Sequence, residues 1–169
     1  SCLVGSEMCI RDREDICNES AFLTLLQKHQ PDGIFHLAAQ ALVRTSYENP
    51  FETIFTNAIG TSSVLDSLRF LKKIVSVVLI TSDKSYDNVE WNWGYREHDK
   101  LGGKDPYSSS KSASELLISS YSSSFFSETN INISTARAGN IIGGGDWSPY
   151  RLLPDVIRCC YEKTEIKRR

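Results

Sequence analysis

A tyrosine and a lysine spaced four residues apart are the pair in this sequence best suited to acid–base chemistry. They are Tyr107 and Lys111, in the run DPYSSSK. If a helix begins near Pro106, this spacing places the phenol and the ammonium on one helical face. A positive charge beside a phenol favours the phenolate and commonly lowers the pKa by about 1–3 units. The pair therefore predicts a tyrosine that accepts a proton closer to neutral pH than its ordinary pKa of about 10 allows.

The expected start of that helix should also lower the pKa of Tyr107. Asp105 is a favourable N-cap residue, and Pro106 suits the first helical position. Tyr107 would then lie in the first turn, where the helix dipole favours negative charge. A Tyr-x-x-x-Lys spacing also occurs on ordinary solvated helices, so its meaning depends on the elements that position it.

Three short apolar runs bounded by turn residues predict buried β-strands. GIFHLAA begins at Gly33, IVSVVLIT spans residues 74–81, and INISTARAG begins at Ile131. The second run is the strongest of the three, because it is rich in Val and Ile and apolar almost throughout. His36 lies inside the first run, where we expect a core histidine with a hydrogen-bond partner and not a metal ligand.

Apolar residues at three- and four-residue steps predict helices before, between and after these strands. Asn18 or Ser20 caps the first helix, and the second begins at Asn49-Pro50 and runs to about Lys72. Two further helices are expected, over about 106–127 and from about 152. Helices alternating with strands predict an α/β fold, with a parallel sheet, right-handed crossovers and flanking helices.

Small or polar residues follow each predicted strand. The three clusters are Ala38-Ala39-Gln40, Ser82-Asp83-Lys84 and Ala138-Gly139-Asn140. Because the carboxyl ends of parallel strands meet at one edge of the sheet, these clusters predict a ligand crevice there. With Tyr107 and Lys111 on the next helix, that crevice is the predicted active site.

Composition excludes several classes of protein. The 169 residues are 40% hydrophobic and 24% charged, with a formal net charge of -2, which fits one globular domain. We expect no nucleic-acid or membrane partner, since basic residues cluster only at the short end from Lys167, and no apolar run approaches the roughly 20 residues of a membrane span. The five cysteines form no CxxC pair, so neither a metal site nor a disulfide framework is predicted, and we expect free thiols in a reducing cytoplasm.

The glycines at 143–145 do not form a phosphate-binding motif. A dinucleotide fingerprint fails because Ser148 occupies the place of its last glycine, and no Gly-Lys-Ser/Thr follows. We interpret these glycines as part of a flexible substrate loop. Arg151, just beyond them, is either a phosphate-binding donor or a solvated residue at a helix start.

Residues 1–13 lack clear periodicity and do not lead into the elements that follow. We expect them to be a non-native leader, and residues 14–169 to be the folded part of the chain.

Several motifs together resemble a known family. HLAAQ, the run NAIGT at Asn57, SDK, YSSSK and RAGN are similar to the extended short-chain dehydrogenases/reductases that act on nucleotide sugars. The stretch from Asp83 to Lys111, with GNIIGGGDW, resembles the 4,6-dehydratases of that family that act on CDP-glucose. The resemblance implies a Rossmann-type fold, tightly held NAD, a CDP-glucose substrate and a homo-oligomer of the full-length protein.

The resemblance also implies roles at the active site. Tyr107 matches the base that takes the proton of the sugar 4-hydroxyl, and Lys111 matches the lysine that lowers its pKa and holds the nicotinamide ribose. Ser82 matches the residue that hydrogen-bonds the 4-hydroxyl. Asp83 matches the acid that protonates the departing 6-hydroxyl, whereas Lys84 stands where dTDP-glucose relatives carry glutamate, so the base at C5 stays open.

Further positions match residues that line the cofactor and the substrate. The implied cofactor contacts are Asp15, Ile16, Leu37, Ala38, Ala39, Gln40 and Asn57, together with Tyr107 and Lys111. The implied substrate contacts are Ser82, Asn140 and Arg151.

The family's glycine fingerprint lies in a first strand–helix turn that precedes these motifs. We therefore expect a partial Rossmann-type sheet that lacks the first βαβ unit, and weak or no NAD binding by this chain alone. Two alternatives remain at this point. One is an epimerase or dehydratase acting on another nucleotide sugar, and the other is a non-catalytic binding module, against which the Tyr107 and Lys111 pair argues.

Overall fold

The computed structural model describes residues 12–165. The expected leader, residues 1–13, falls almost wholly outside this range, as does the basic end from Lys167. The carboxylate of Asp12, at the start of the described range, lies 2.6 Å from Nε2 of His29. Within the described range, no helix is both long enough and apolar enough to cross a membrane.

One sheet of parallel strands forms the centre of the fold, in the order β1-β2-β3. The strands are β1 (Gly33–His36), β2 (Val75–Ser82) and β3 (Ile131–Ala138). Ser82 pairs with Ala138 in the register, so β2 and β3 end at the same level. The predicted parallel α/β arrangement is confirmed.

Helices precede, connect and follow the strands. They are α1 (Glu19–His29), α2 (Val43–Glu48), α3 (Pro50–Ile54), α4 (Gly60–Leu68), α5 (Pro106–Tyr121) and α6 (Leu152–Glu162). A π-helical turn, Phe55–Ile59, joins α3 to α4, a second one, Ser122–Phe126, extends α5, and a 3-10 turn, Asp83–Ser85, follows β2.

The second predicted helix is therefore α3 and α4 joined by a π turn, and it ends at Leu68 rather than near Lys72. Beyond Leu68 the backbone hydrogen bonds span three residues instead of four, as in the bond from Leu71 N to Leu68 O at 3.0 Å. This tightening turns the chain into β2.

The hydrophobic core lies between one face of the sheet and helices α1, α4 and α5. On β2, Val75, Val77 and Leu79 are at most 1% exposed, whereas the intervening Ser76 is exposed. Burial of such side chains contributes about 1.5–3 kcal/mol each. The alternation along β2 therefore fixes which of its side chains meet α4 and α5.

The expectation that the first strand is buried is wrong for Phe35, which is 71% exposed. Successive side chains of a strand point to opposite faces. His36 points toward α4 and is buried, so Phe35 points to the face that these helices leave open. In residues 12–165, β1 pairs with β2 alone.

Helix α3 and the π turn expose their apolar side. Phe51 is 80% exposed and Phe55 is 41% exposed, whereas Thr53 and Asn57 are almost fully buried. The apolar residues near the start of this predicted helix therefore mark its outer side, whereas Leu65 and Leu68 further along are fully buried. The polar side is buried because it hydrogen-bonds the loop after β1.

Helix α5 meets its neighbours through serines. Ser110 and Ser114 are buried, and their hydroxyls donate to backbone carbonyls one turn earlier on the same helix, at 2.7 and 2.9 Å. Ser114 also donates to the carbonyl of Asn57 at 2.8 Å. Because these side chains are small, α5 lies close to the π turn, and each serine hydroxyl has a carbonyl acceptor.

Candidate active site

Ser82 and Tyr107 meet at the carboxyl end of β2. Both side chains are buried, at 6% and 8% exposure, and the Ser82 hydroxyl is near enough to the Tyr107 phenol to act on its pKa. The Ser82 hydroxyl also accepts from the backbone N of Lys84 and donates to Asp83, each at 3.2 Å. The strand-end cluster Ser82-Asp83-Lys84 and the helix that carries Tyr107 are therefore in contact.

The start of α5 holds Tyr107 in place. Asp105 is the N-cap residue, and its carboxylate accepts from the backbone N of Ser108 at 3.0 Å. Pro106 occupies the first turn. The predicted cap is confirmed, and Tyr107 lies where the helix dipole favours its anionic form.

The pKa of Tyr107 nevertheless lies above its ordinary value, contrary to the expectation from the Tyr-x-x-x-Lys spacing. Burial is the largest cause, and the carboxylates of Asp83 and Asp105 add to it. The nearby Ser82 hydroxyl and the charge of Arg151 act in the opposite direction. Desolvation exceeds the stabilisation of the phenolate, so the phenol is protonated at neutral pH.

Lys111 is buried beneath this site, at 7% exposure. Its ammonium donates to the carbonyl of Ile80 on β2 at 3.5 Å. Burial lowers the pKa of Lys111, and the nearby carboxylate of Glu115 opposes that effect.

Asp83 and Lys84 lie on the 3-10 turn after β2, and both are exposed. A Cβ placed on Gly139 would lie 3.5 Å from Oδ2 of Asp83, so this carboxylate lies beside the end of β3.

Asp83 also lines a cavity of ≈ 460 Å³ that includes Tyr86, Tyr95 and Arg137. An acid at this position faces open space next to Ser82.

Asn57 holds the loop after β1 against α5. Its side chain accepts from the backbone N of Gln40 at 2.8 Å and donates to the carbonyl of Gln40 at 3.0 Å. The same amide donates to Ser110 at 2.8 Å. The amide of Asn57 is engaged by these protein groups and positions the strand-end loop, and its place near a cofactor stays a prediction.

The loop after β3 brings Arg151 toward the site. Arg151 donates to Asp146 at 3.0 Å, and its charge acts on the Tyr107 phenol. Asn140 is exposed near the start of this loop. Tyr150, next to Arg151, lies under the guanidinium of Arg44, whose central carbon is 4.4 Å from the ring centre. The loop is therefore in contact with α2.

A family model described as GDP-mannose 4,6 dehydratase matches residues 8–152. The chain belongs to this family.

Curated relatives of this family member include nucleotide-sugar dehydratases. The chain is 48% identical over 154 residues to the CDP-glucose 4,6-dehydratase of Salmonella typhimurium, an alignment covering 88% of this chain and 41% of that protein. It is 28% identical to a dTDP-glucose 4,6-dehydratase of Xanthomonas campestris, over 92% of this chain and 45% of the relative. The chain thus spans less than half the length of these relatives.

Solved structures of similar fold include ligand complexes. The DesIV double mutant, a dTDP-glucose 4,6-dehydratase from Streptomyces venezuelae with NAD and DAU bound, has a TM-score of 0.78 and 22% identity, covering 89% of this chain and 44% of that one. A UDP-glucuronic acid 4-epimerase from Bacillus cereus, solved with UDP-glucuronic acid and NAD, has a TM-score of 0.76 and 26% identity, covering 90% and 45%. The Rossmann-type fold class is confirmed.

In this GDP-mannose 4,6 dehydratase family member, the expected cofactor contacts differ in their surroundings. Leu37 is 67% exposed, and Ala38 is also exposed, so the end of β1 offers open surface. Ile16 instead packs against α4, because a Cβ on Gly60 would lie 3.0 Å from its Cγ1. The carboxylate of Asp15 accepts from the backbone N of Cys17 at 2.9 Å. The end of β1 is exposed and Ile16 is packed, and the cofactor contacts of both stay predictions.

Sequence reasoning missed the polar contacts behind the site. Glu115 follows Lys111 by one helical turn and binds Arg137 on β3. A charged residue within an apolar strand run was the available signal for Arg137. Its partner could not be read from the sequence, since the two are separated by 22 positions.

His36 predicts a pH dependence of stability. Burial and the charge of Lys111 lower its pKa from 6.5 to about 4, while its Nε2 lies 3.2 Å from the hydroxyl of Thr61. Between these pKa values the unfolded chain binds the additional proton. The free energy of unfolding should therefore fall, by up to about 3 kcal/mol, as the pH drops from about 6.5 to about 4.

Denaturant unfolding of this chain across that pH range, in parallel with His36→Gln, measures the effect. The variant should lose this part of the pH dependence, whereas His98→Gln, at an exposed histidine, should keep it. An equal slope in all three proteins would contradict the assignment to His36.

Proposed function

We propose that this chain carries the catalytic groups of a nucleotide-sugar 4,6-dehydratase that converts CDP-glucose to CDP-4-keto-6-deoxyglucose with NAD as cofactor. The observation that carries the proposal is the contact of Ser82 with both Tyr107 and Asp83, which brings a base and an acid to one strand end. The 48% identity to the Salmonella typhimurium enzyme supports CDP-glucose as the substrate.

The residues at the strand ends fit a nicotinamide dinucleotide. Lys111 has three N–H donors, and its bond to Ile80 is long at 3.5 Å, so the ammonium can also donate to the hydroxyls of a ribose. The exposed Leu37 and Ala38 supply apolar surface on the β1 side. When bound, NAD would accept hydride from C4 of the sugar and later return it to C6, so that it ends the cycle unchanged.

The side chains divide the proton transfers between them. Ser82 hydrogen-bonds the 4-hydroxyl, and Tyr107 takes its proton as C4 is oxidised to the ketone. The ketone acidifies the hydrogen on C5, and a base removes that proton while the 6-hydroxyl leaves as water with a proton from Asp83, which must be in its protonated form for this step. When hydride is returned to C6, the proton is returned to C5. Because the pKa of Tyr107 is raised before ligands bind, its deprotonation must be favoured further in the complex. Ser82 and Arg151 already act in that direction, and we propose that the ammonium of Lys111 adds to them.

Lys84 is the candidate base at C5. It is exposed on the 3-10 turn beside Asp83. A lysine can remove a proton only in its neutral form, so this role requires that substrate binding desolvates the ammonium.

The test uses the full-length protein, meaning the polypeptide of its relatives' length that contains this chain. Purified protein with NAD is incubated with CDP-glucose, dTDP-glucose or GDP-mannose, and products are identified by mass and by the absorbance of the ketone. We expect loss of water from CDP-glucose. Turnover of another sugar in its place would overturn the substrate, and an epimer with no loss of water would overturn the reaction.

A further inference from the structure

A buried ion pair lies one layer behind the proposed catalytic groups. Glu115 is 5% exposed, and its two carboxylate oxygens accept from Nε and Nη2 of Arg137 at 2.8 and 3.0 Å. This two-point geometry fixes the orientation of both side chains. The pair therefore ties α5 rigidly to β3.

Two further contacts extend the pair to the segments on either side of Ser82. The hydroxyl of Thr81 donates to Glu115, and Thr81 and Arg137 are directly paired in the register of β2 and β3. The guanidinium carbon of Arg137 lies 4.8 Å from the ring centre of Tyr86, just after the turn that carries Asp83. Arg137 also donates to the carbonyl of Glu97 at 2.9 Å.

The contacts of Glu115 and Arg137 join the Ser82–Asp83 segment to the helix that carries Tyr107 and Lys111. Glu115 lies one helical turn beyond Lys111 and two beyond Tyr107, on the face of α5 that meets β2. Thr81 precedes Ser82, and Tyr86 follows the Asp83–Ser85 turn. Any shift of Arg137 would therefore move the serine and acid relative to the tyrosine and lysine.

We propose that Glu115 and Arg137 are positioning residues, which fix the distance between the Ser82–Asp83 segment and the Tyr107–Lys111 helix. The proposal rests on the dehydratase function proposed above. Neither residue takes part in a proton transfer, since the carboxylate is held by Arg137 and Thr81. A displacement of about 1 Å between reacting groups can cost on the order of 10²-fold in rate.

Variants of the full-length protein separate positioning from stability. Arg137→Met leaves the Glu115 carboxylate buried without its partner, which should lower both the melting temperature and kcat. The double variant Glu115→Gln/Arg137→Met removes that charge and should regain much of the melting temperature. We expect kcat to stay about 10- to 100-fold below the wild type in both, with KM for the nucleotide sugar within about threefold.

Two comparisons serve as controls. Arg137→Lys keeps the charge but loses the two-point bond, so kcat should lie between those of the wild type and Arg137→Met. Arg69→Met removes an arginine that likewise pairs with a carboxylate, Asp66, and lies 4.4 Å from the ring centre of Phe125, and it should leave kcat unchanged. Recovery of kcat together with the melting temperature in the double variant would overturn the positioning role.

Hydrogen–deuterium exchange gives a readout that does not require turnover. Amides of the 82–86 and 106–111 segments should exchange faster in Arg137→Met and in the double variant than in the wild type or Arg69→Met. Unchanged exchange there would overturn the proposal. If the wild type turns over no sugar, the dehydratase proposal fails while this comparison still decides whether the pair holds the two segments.

Discussion

In the full-length protein, Tyr107→Phe should lower kcat by about 10²–10⁴-fold, with KM for the nucleotide sugar changed by less than about threefold. The substitution keeps the aromatic ring, which is 8% exposed and packed, and removes only the hydroxyl near Ser82. The loss therefore falls on proton transfer and not on packing. Steady-state rates of ketone formation measure it.

Tyr121→Phe is the matched control for this prediction. Tyr121 lies on the same helix, and its hydroxyl lies 3.3 Å from that of Ser62, on the α4 side. Removing this hydroxyl should leave kcat within about threefold of the wild type. If Tyr107→Phe were as active as Tyr121→Phe, catalysis would not use the Tyr107 hydroxyl, and its proposed role as the base would be wrong.

Gly103→Ala should lower the free energy of unfolding by about 1–3 kcal/mol or more. An alanine methyl at this position would lie within 3.0 Å of the backbone N of Ser109 and of the carbonyl carbon of Ser108. Both atoms belong to the first turns of α5, which cannot move aside without displacing Tyr107. Denaturant unfolding of this chain measures the change.

Gly94→Ala tests the same chemical change in the same loop, where an added methyl meets no heavy atom within 4 Å. Its free energy of unfolding should stay within about 0.5 kcal/mol of the wild type. In the full-length protein, the folded fraction of Gly103→Ala should also show a lower kcat. Equal stability of the two variants would mean that the loop shifts to accommodate the methyl group, and that α5 does not depend on the close approach of Gly103.

Local chemistry predicted the parts of the site that depend on neighbours in the chain. Asp105 and Pro106 start α5 as their residue types require, and Ser82 and Asp83 lie at the end of a strand whose Val and Ile content marked it clearly. The level ends of β2 and β3 follow from parallel pairing. These features need no knowledge of distant contacts.

Features that depend on tertiary packing were not predictable in the same way. The pKa of Tyr107 is raised because burial outweighs the charges near it, and burial is a property of the folded chain. The outward-facing Phe51 and the inward-facing Asn57 reverse the usual meaning of apolar periodicity, since Asn57 is held by Gln40. The Glu115 and Arg137 pair likewise required the register of β3 against α5.

The serines of α5 determine how this protein tolerates sequence change. Ser110 and Ser114 occupy the contact with the π turn, where their size sets how closely the two helices approach. Alanine or glycine fits there, whereas any residue with a longer side chain forces the helices apart and moves Tyr107 with them. At these two positions of α5, the volume of the side chain therefore limits which substitutions the fold tolerates. Sequence variation in α5 should accumulate at exposed positions such as Leu116 and be limited to small residues at 110 and 114.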